Sequence, residues 1–471
     1  MVSDLAINSE AAHIGTVSTD LGSDRALILR LVRFGIFCLP LLAFTIPDRD
    51  SPLAFASIDA LAFGKIIALL VVAVIGGLLL LRQLVDAKVS WDQSDLTTEP
   101  RVWVVLRAFM PYFVFLGWAI FSVLWTPRPS VTLGQAGGMA GLLMIASLVS
   151  LLSFTKDGTE MVLKSLVWSL LLFGALLLAI HILEPNLSGL DRRMLIAGSD
   201  GVVHPTAAAA NSSLGLLVAV SCWLVQRYQW AGRLAFAAIC IHGTVLFLAS
   251  SRTALGMTLI TIPLLVVISG DNRRRAWIGM GMAAVALVML LVDPGFRLFS
   301  TSENVGLSYV TRGQSLTQLQ KFSGREEMWS KVWDEYLESP VKGHGYFLTS
   351  STGEMEVWDM KANHSAHNIY LQVVSGTGVI GLTLFLIAMA TLLKRFLTLR
   401  NGDAAARRMF QMLLVVMVWF FGWSLLSASF MGPVRSESVC FYTFLGLGIG
   451  QWVRMDATVS PTQHSGELAN A

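Results

Sequence analysis

Charge is what this sequence has least of. Of 471 residues, 14% are Asp, Glu, Lys or Arg and 54% are hydrophobic, whereas a soluble domain carries roughly 25% charged residues. With a mean hydropathy of +0.64, that deficit excludes an ordinary soluble enzyme. Most of the chain faces lipid or the inside of a helix bundle. The net charge of +3 is too small to imply nucleic-acid binding. Asp and Glu are missing near the centres of the apolar runs, and Lys65 and Arg107, the cations within runs, lie near run ends. Ion-driven pumps usually carry ionisable groups at mid-membrane, so this lack argues against one. Cysteines are few: Cys38, Cys222, Cys240 and Cys440, each in or beside an apolar run, with no CxxC pair. They read as small buried hydrophobes. No cleavable signal peptide is expected, because residues 1–24 are polar and the first apolar run follows Arg30 and Arg33. No internal repeat stands out.

What is present is a series of long apolar runs. A helix needs roughly 20 apolar residues to cross about 30 Å of hydrocarbon. Such runs fall near 34–47, 61–81, 102–125, 131–154, 162–183, 207–226, 232–250, 253–270, 275–292, 368–391, 409–428 and 437–454. The sequence therefore predicts an all-α integral membrane protein with about twelve spans. With the N-terminus in the cytoplasm, the inner segments hold about 19 of the 34 Lys and Arg residues and the short outer loops about six, as the positive-inside rule requires. The expected organisation is a disordered cytoplasmic tail over 1–33, helices one to nine over 34–292, a large periplasmic loop over 293–367, helices ten to twelve over 368–454, and a cytoplasmic tail over 455–471.

The large loop has structure of its own. Arg325, Trp329, Val332, Trp333, Tyr336 and Leu337 recur at helical spacing, and Pro340 stops the run. That pattern predicts an amphipathic helix whose aromatic face lies on the membrane surface or closes over the bundle.

Cations are disfavoured on the outer side, so those that remain need a reason. Arg192, Arg193, Arg252, Arg325 and Arg435 all fall there. Guanidinium groups meeting at the membrane surface would suit a diphosphate, because each offers a planar fork to phosphate oxygens. Arg252, between two apolar helices, has the fewest ordinary explanations. For Arg192, Arg193 and Arg435 a solvated or carboxylate-paired side chain is the plainer reading. His364 and His367 close the loop, and a neutral imidazole at the membrane boundary could take a proton from a sugar hydroxyl. Taken alone, each is better explained as a hydrogen-bonded structural residue, and His204 and His344 have plainer explanations still. No histidine spacing supports zinc. Gly376, Gly378 and Gly381 imitate a dinucleotide fingerprint, but they lie in an apolar helix with no preceding strand, so close helix packing is expected.

Several of these residues fall into an order that resembles a known family. Ser251-Arg252-Thr253-Ala254-Leu255 comes first, then Gly324-Arg325-Glu326-Glu327-Met328-Trp329, then Pro340-Val341-Lys342-Gly343-His344-Gly345. Ala366-His367-Asn368-Ile369-Tyr370-Leu371 follows, leading through Gly376, Gly378 and Gly381. This set is similar to the shared C-terminal region of O-antigen ligases and O-antigen polymerases, and Ser122–Pro127 also looks like a loop of that family. The likeness covers roughly residues 200–395, and the rest by topology only.

The resemblance implies a GT-C-like, metal-independent membrane glycosyltransferase of the bacterial inner membrane, with no cofactor. Its donor would be an undecaprenyl-diphosphate-linked oligosaccharide, and its acceptor a second glycan, the lipid A core or a protein hydroxyl. Carried across by motif, Arg252 and Arg325 would hold the donor diphosphate and His367 would be the general base. Arg192, Arg193, Arg435 and His364 are possible additions. A lipid-linked glycan flippase is the alternative; it would predict pseudo-symmetry and a charged central path, neither of which is evident.

Overall fold

A computed structural model describes residues 26–38, 42–44, 60–93, 101–184, 202–249, 251–269, 325–357, 360–362, 365–428, 430–431 and 434–468. Arg192, Arg193, His364, the expected ninth span at 275–292, the N-terminal tail as far as residue 25 and the first part of the large loop lie outside these residues.

The described chain is helical almost throughout. Helix α1 spans 26–37, α2 Ala60–Gln93, α3 Arg101–Phe121, α4 Pro129–Leu152 and α5 Lys156–Leu183. Then come α6 Pro205–Ser221, α7 Ala231–Ala249 and α8 Arg252–Ile268. The amphipathic α9 is Arg325–Glu338. Last are α10 Ile369–Thr398, α11 Ala404–Ser424 and α12 Ser436–Leu468. One addition to the all-α expectation is a small antiparallel hairpin, β1 Met355–Val357 with β2 Met360–Ala362, in register Met355 to Ala362.

Among the described residues, seven helices are long and apolar enough to cross a membrane, and the chain is a multi-pass α-helical membrane protein. Helix α1 begins upstream of the apolar run near 34–47, which places Arg30 and Arg33 inside the helix.

Packing divides the helices into two overlapping groups. Helices α2, α3, α4, α10 and α12 lie together, as do α5, α6, α7, α8 and α11, and α12 and α11 join the groups. Small residues set the closest crossings. A methyl at Gly446 or Gly450 of α12 would meet the backbone of α4 at 2.5 Å, at the Ala146 and Ser150 carbonyls respectively, so these helices approach backbone to backbone. Ser150 Oγ reinforces the crossing by donating to the Gly446 carbonyl at 3.0 Å. The core is rich in aromatics, with Phe420, Phe430 and Phe441 mutually packed. Of the four thiols, Cys222 and Cys440 are buried, Cys38 is half-buried, and Cys240 is exposed on α7.

Candidate active site

Helix α10 is not continuous. Gly378 takes φ +65°, which splits it into two half-helices. A break at membrane depth frees carbonyls on one side and amides on the other, and each unmet group is costly where no water can reach. The segment after α9 meets them. His344 and Gly345 donate their amides to the carbonyls of Ser375 (3.1 Å) and Gly376 (2.8 Å), while Val379 N and Ile380 N donate to the carbonyls of Pro340 (2.8 Å) and Val341 (3.4 Å). Trp118 of α3 donates to the Thr377 carbonyl at 3.0 Å.

Glycine makes this approach possible from both sides. A methyl at Gly376 would meet the Gly345 carbonyl at 2.8 Å, one at Gly343 would meet the Gly376 carbonyl at 2.5 Å, and one at Gly378 would run into Val341. Gly343 and Gly345 also hold φ of +68° and +123°, which residues with a Cβ rarely adopt. The glycines at 376–381 were expected to serve helix packing. Gly376 and Gly378 instead receive a loop, and only Gly381, next to Trp118, faces a neighbouring helix.

The loop is held from beneath as well. Tyr346 N donates to Ser122 Oγ at 2.9 Å, Trp125 Nε1 to the Gly343 carbonyl at 3.1 Å, and Thr132 Oγ1 to the Tyr346 carbonyl at 3.3 Å. The Ser122–Thr126 stretch, the Pro340–Gly345 turn and the Gly376–Gly378 break thus form one interlocked unit.

Helix α9 lies over this unit. Met328 and Val332 are buried against Met355 and Ala366, with Trp329 and Leu371 packed beside them. The buried face is turned from the predicted one: Met328 is inside, whereas Trp333 (48%) and Leu337 (56%) stay exposed. The helix therefore has apolar surface on two sides, and one of them closes over the bundle. Trp329 Nε1 donates to the Ala366 carbonyl at 2.9 Å, tying α9 to the residue before His367.

His367 stands at the mouth of α10. Asn368 caps that helix, its side chain accepting from Tyr370 N (2.9 Å) and Leu371 N (3.1 Å). The Asn368 amide donates to the Leu425 carbonyl at 3.2 Å, which fastens the start of α10 to the end of α11. His367 itself is held at φ +48°, a left-handed conformation that costs a side-chain-bearing residue on the order of 1 kcal/mol. Its amide donates to Ser365 Oγ at 3.3 Å. Such local strain is often found where a side chain must point one particular way.

The electrostatics of His367 connect distant parts of the chain. Its ring keeps an exposed surface, yet protein crowds around it, and that desolvation pushes its pKa down from 6.5 to about 4. The positive charges of Arg325 and Arg435 push in the same direction, as His204 does whenever it is protonated. The imidazole is therefore neutral at physiological pH and can accept a proton. Arg325 opens α9, Arg435 precedes α12, and His204 caps α6 by accepting from Thr206 N at 3.2 Å. Arg435 also acts on the buried Glu437 two residues further on.

Of the arginines singled out from sequence, Arg325 and Arg435 thus lie within electrostatic reach of His367. Arg252 is not among the charges acting on that ring. It sits half-buried at the start of α8, at the same end of the bundle. Helix α8 is fixed there through Ser213 of α6, whose hydroxyl lies 2.6 Å from Thr258 Oγ1 and accepts from Trp419 Nε1 at 2.7 Å.

Two groups escaped the sequence reading. His204, read as a plain residue, lies close enough to His367 to influence its titration. His242 lies within the apolar run of α7, fully buried, with neither ring nitrogen hydrogen-bonded. Gly174 and Gly215 leave room for its ring. A search for any ionisable residue within an apolar run would have found it.

Glu335, Glu338 and His344 bring possible metal-ligand atoms within 4.8 Å of one another. His344 Nε2 is already 2.6 Å from the Glu335 carbonyl, and Glu335 Oε2 accepts from Ser351 N at 3.0 Å. These contacts account for the trio as the clasp between α9 and its following turn.

A family model described as O-antigen ligase matches residues 235–386. The match runs from α7 to the second half of α10, and so includes Arg252, Arg325 and His367 and leaves out His204 and Arg435. No curated protein matches the chain.

Proposed function

We propose that this chain, which carries the O-antigen ligase family region over residues 235–386, transfers a glycan from undecaprenyl diphosphate to an acceptor hydroxyl at the periplasmic face of the bacterial inner membrane. The observation that carries the reading is a strained His367, kept neutral by its surroundings, within electrostatic reach of Arg325 and Arg435.

The chemistry follows from that arrangement. His367 takes the proton of the acceptor hydroxyl. The freed oxygen attacks the anomeric carbon of the donor sugar. The bond from that carbon to the phosphate oxygen breaks, and its electron pair leaves with the diphosphate. Arg325 and Arg435 meet the growing negative charge with guanidinium N–H groups already in place. Arg252, at the start of α8, serves the diphosphate from the other side of the mouth. No metal takes part, since two or three guanidinium groups supply the positive charge. The donor lipid lies against the apolar helix surfaces below, which explains a site at the membrane boundary. The acceptor is a second lipid-linked glycan, making the protein a polymerase, or the lipid A core, making it a ligase.

The test is complementation of a strain in which the gene is deleted, with surface glycan resolved by size. Wild-type protein restores the full profile. His367→Ala and Arg325→Ala, inserted at matched levels, leave single repeat units if the protein is a polymerase and unligated lipid-linked glycan if it is a ligase. A normal profile from both variants overturns the reading and favours transport of the lipid-linked glycan.

A further inference from the structure

At the end of the bundle opposite His367 lies a cavity of about 680 Å³. The opposition follows from helix direction. Helix α6, extended by a π-helical turn over Cys222–Gln226, runs from His204 beside His367 down to Gln226, which lines the cavity, and α11 runs from Ala405 at the cavity up to Leu425, which meets Asn368. The volume is that of a small-molecule site.

The lining is strongly one-signed. Lys156, Arg227, Arg408 and Arg454 face the cavity together with a single carboxylate, Glu160. That carboxylate is engaged, accepting from Trp230 Nε1 at 2.8 Å. A neighbouring hollow of about 300 Å³ shares Arg227 and Arg408 and adds Arg407. The bias of cations toward one end of a membrane protein puts such residues there in any case. It does not account for two further features. The Nε atoms of Arg408 and Arg454 are buried and donate to nothing, although Arg454 pairs through Nη2 with Asp403 at 3.0 Å. Arg227 is held at φ +62°, closing the π-helical turn Cys222–Gln226 after α6 in a left-handed conformation where glycine is the usual occupant.

Buried guanidinium donors without acceptors are costly unless something with several acceptor oxygens meets them. We infer that this cavity binds a phosphate-bearing anion, separate from the donor diphosphate at the other end. Arg408 and Arg454 present guanidinium groups whose inner Nε–H is sunk in the wall, Arg227 and Lys156 close over the charge, and the stacked rings of Tyr228 and Trp230, 5.4 Å apart, form an apolar wall beside it. An anionic phospholipid head group and a soluble diphosphate both carry this chemistry.

The experiment uses the full chain, stripped of lipid in detergent, with two probes. Phosphatidylglycerol is titrated against phosphatidylcholine by native mass spectrometry, and inorganic pyrophosphate is titrated by thermal unfolding at constant ionic strength. One or both anions are expected to bind the wild type. Arg227→Gln/Arg408→Gln is expected to weaken that binding about tenfold or more, as loss of charge-assisted hydrogen bonds implies, while Arg325→Ala at the far end leaves it in place. Binding of phosphatidylglycerol alone identifies a lipid head group, and binding of pyrophosphate identifies a soluble anion. Arg408→Lys, which keeps the charge, is expected to retain part of the affinity and decides the matter if the double variant fails to fold. The inference is overturned if wild-type protein prefers neither anion over phosphatidylcholine and chloride, or if Arg325→Ala abolishes binding that the cavity variants keep.

Discussion

The amide of Gly345 donates to the carbonyl of Gly376 across 2.8 Å, which joins the loop after α9 to the broken turn of α10. Neither glycine tolerates a side chain. A methyl on Gly345 would strike Thr126, and its φ of +123° already disfavours one. Gly345→Ala and Gly378→Ala are each expected to lose about 1–3 kcal/mol or more from backbone strain alone, with the steric clash added. A fall in thermal stability of the purified protein, accompanied by earlier aggregation, is the expected readout. Unchanged melting would mean that the loop can leave the break at little cost.

Arg325→Lys preserves charge but removes the planar fork. If the two N–H groups of one guanidinium meet the diphosphate, turnover should fall about ten- to a hundredfold while membrane insertion stays normal. Arg435→Lys should behave alike. Full activity in both would reduce these residues to generic positive charge.

The depressed pKa of His367 sets a pH dependence. A base must be unprotonated, and its free-protein value is about 4. As pH falls from neutrality, kcat/KM, which reports the free protein, should hold level until near that value and then decline. A bound diphosphate offsets Arg325 and Arg435, so the imidazole holds its proton more readily and the acid limb of kcat should lie at higher pH. Arg435→Ala removes one of the repelling cations and should move the kcat/KM limb upward. Coincident limbs in wild type and variant would disconnect Arg435 from the base.

Trp329→Phe keeps the packing of α9 and removes its hydrogen bond to the Ala366 carbonyl. A buried acceptor left unmet costs about 1–3 kcal/mol, and here the cost falls one residue from His367. Hydrogen exchange should quicken across residues 366–371, and activity should drop without loss of the fold. Equal exchange in wild type and variant would show that α9 does not steady the site.

The membrane class was legible because it rests on composition and run length, which need no knowledge of partners. The runs at 102–125, 131–154, 207–226 and 232–250 reappear as α3, α4, α6 and α7 with small shifts at their ends. What could not be read was proximity. Arg435 follows His367 by 68 residues and His204 precedes it by 163, and no spacing rule links them. The same limit hid the purpose of Gly376 and Gly378: a small residue announces a close approach but not what approaches. Helix α9 shows a different limit. With apolar groups on two sides, its periodicity revealed the helix without fixing which side, Met328 or Trp333, turns inward. His242 was missed for a simpler reason, since one imidazole barely disturbs an apolar average.

The broken turn of α10 also divides what can move from what cannot. Withdrawing the segment around Pro340–Gly345 would strand four backbone hydrogen bonds and the Trp125 contact in apolar surroundings, so this part of the large loop is masonry rather than door. Helix α9 is moored far more lightly, by Trp329, a few buried side chains and the Glu335–His344 clasp. If any described part of the large loop shifts to admit a glycan, α9 is expected to give before the Pro340–Gly345 segment, and His367, at the start of α10, stays with the fixed side of the frame.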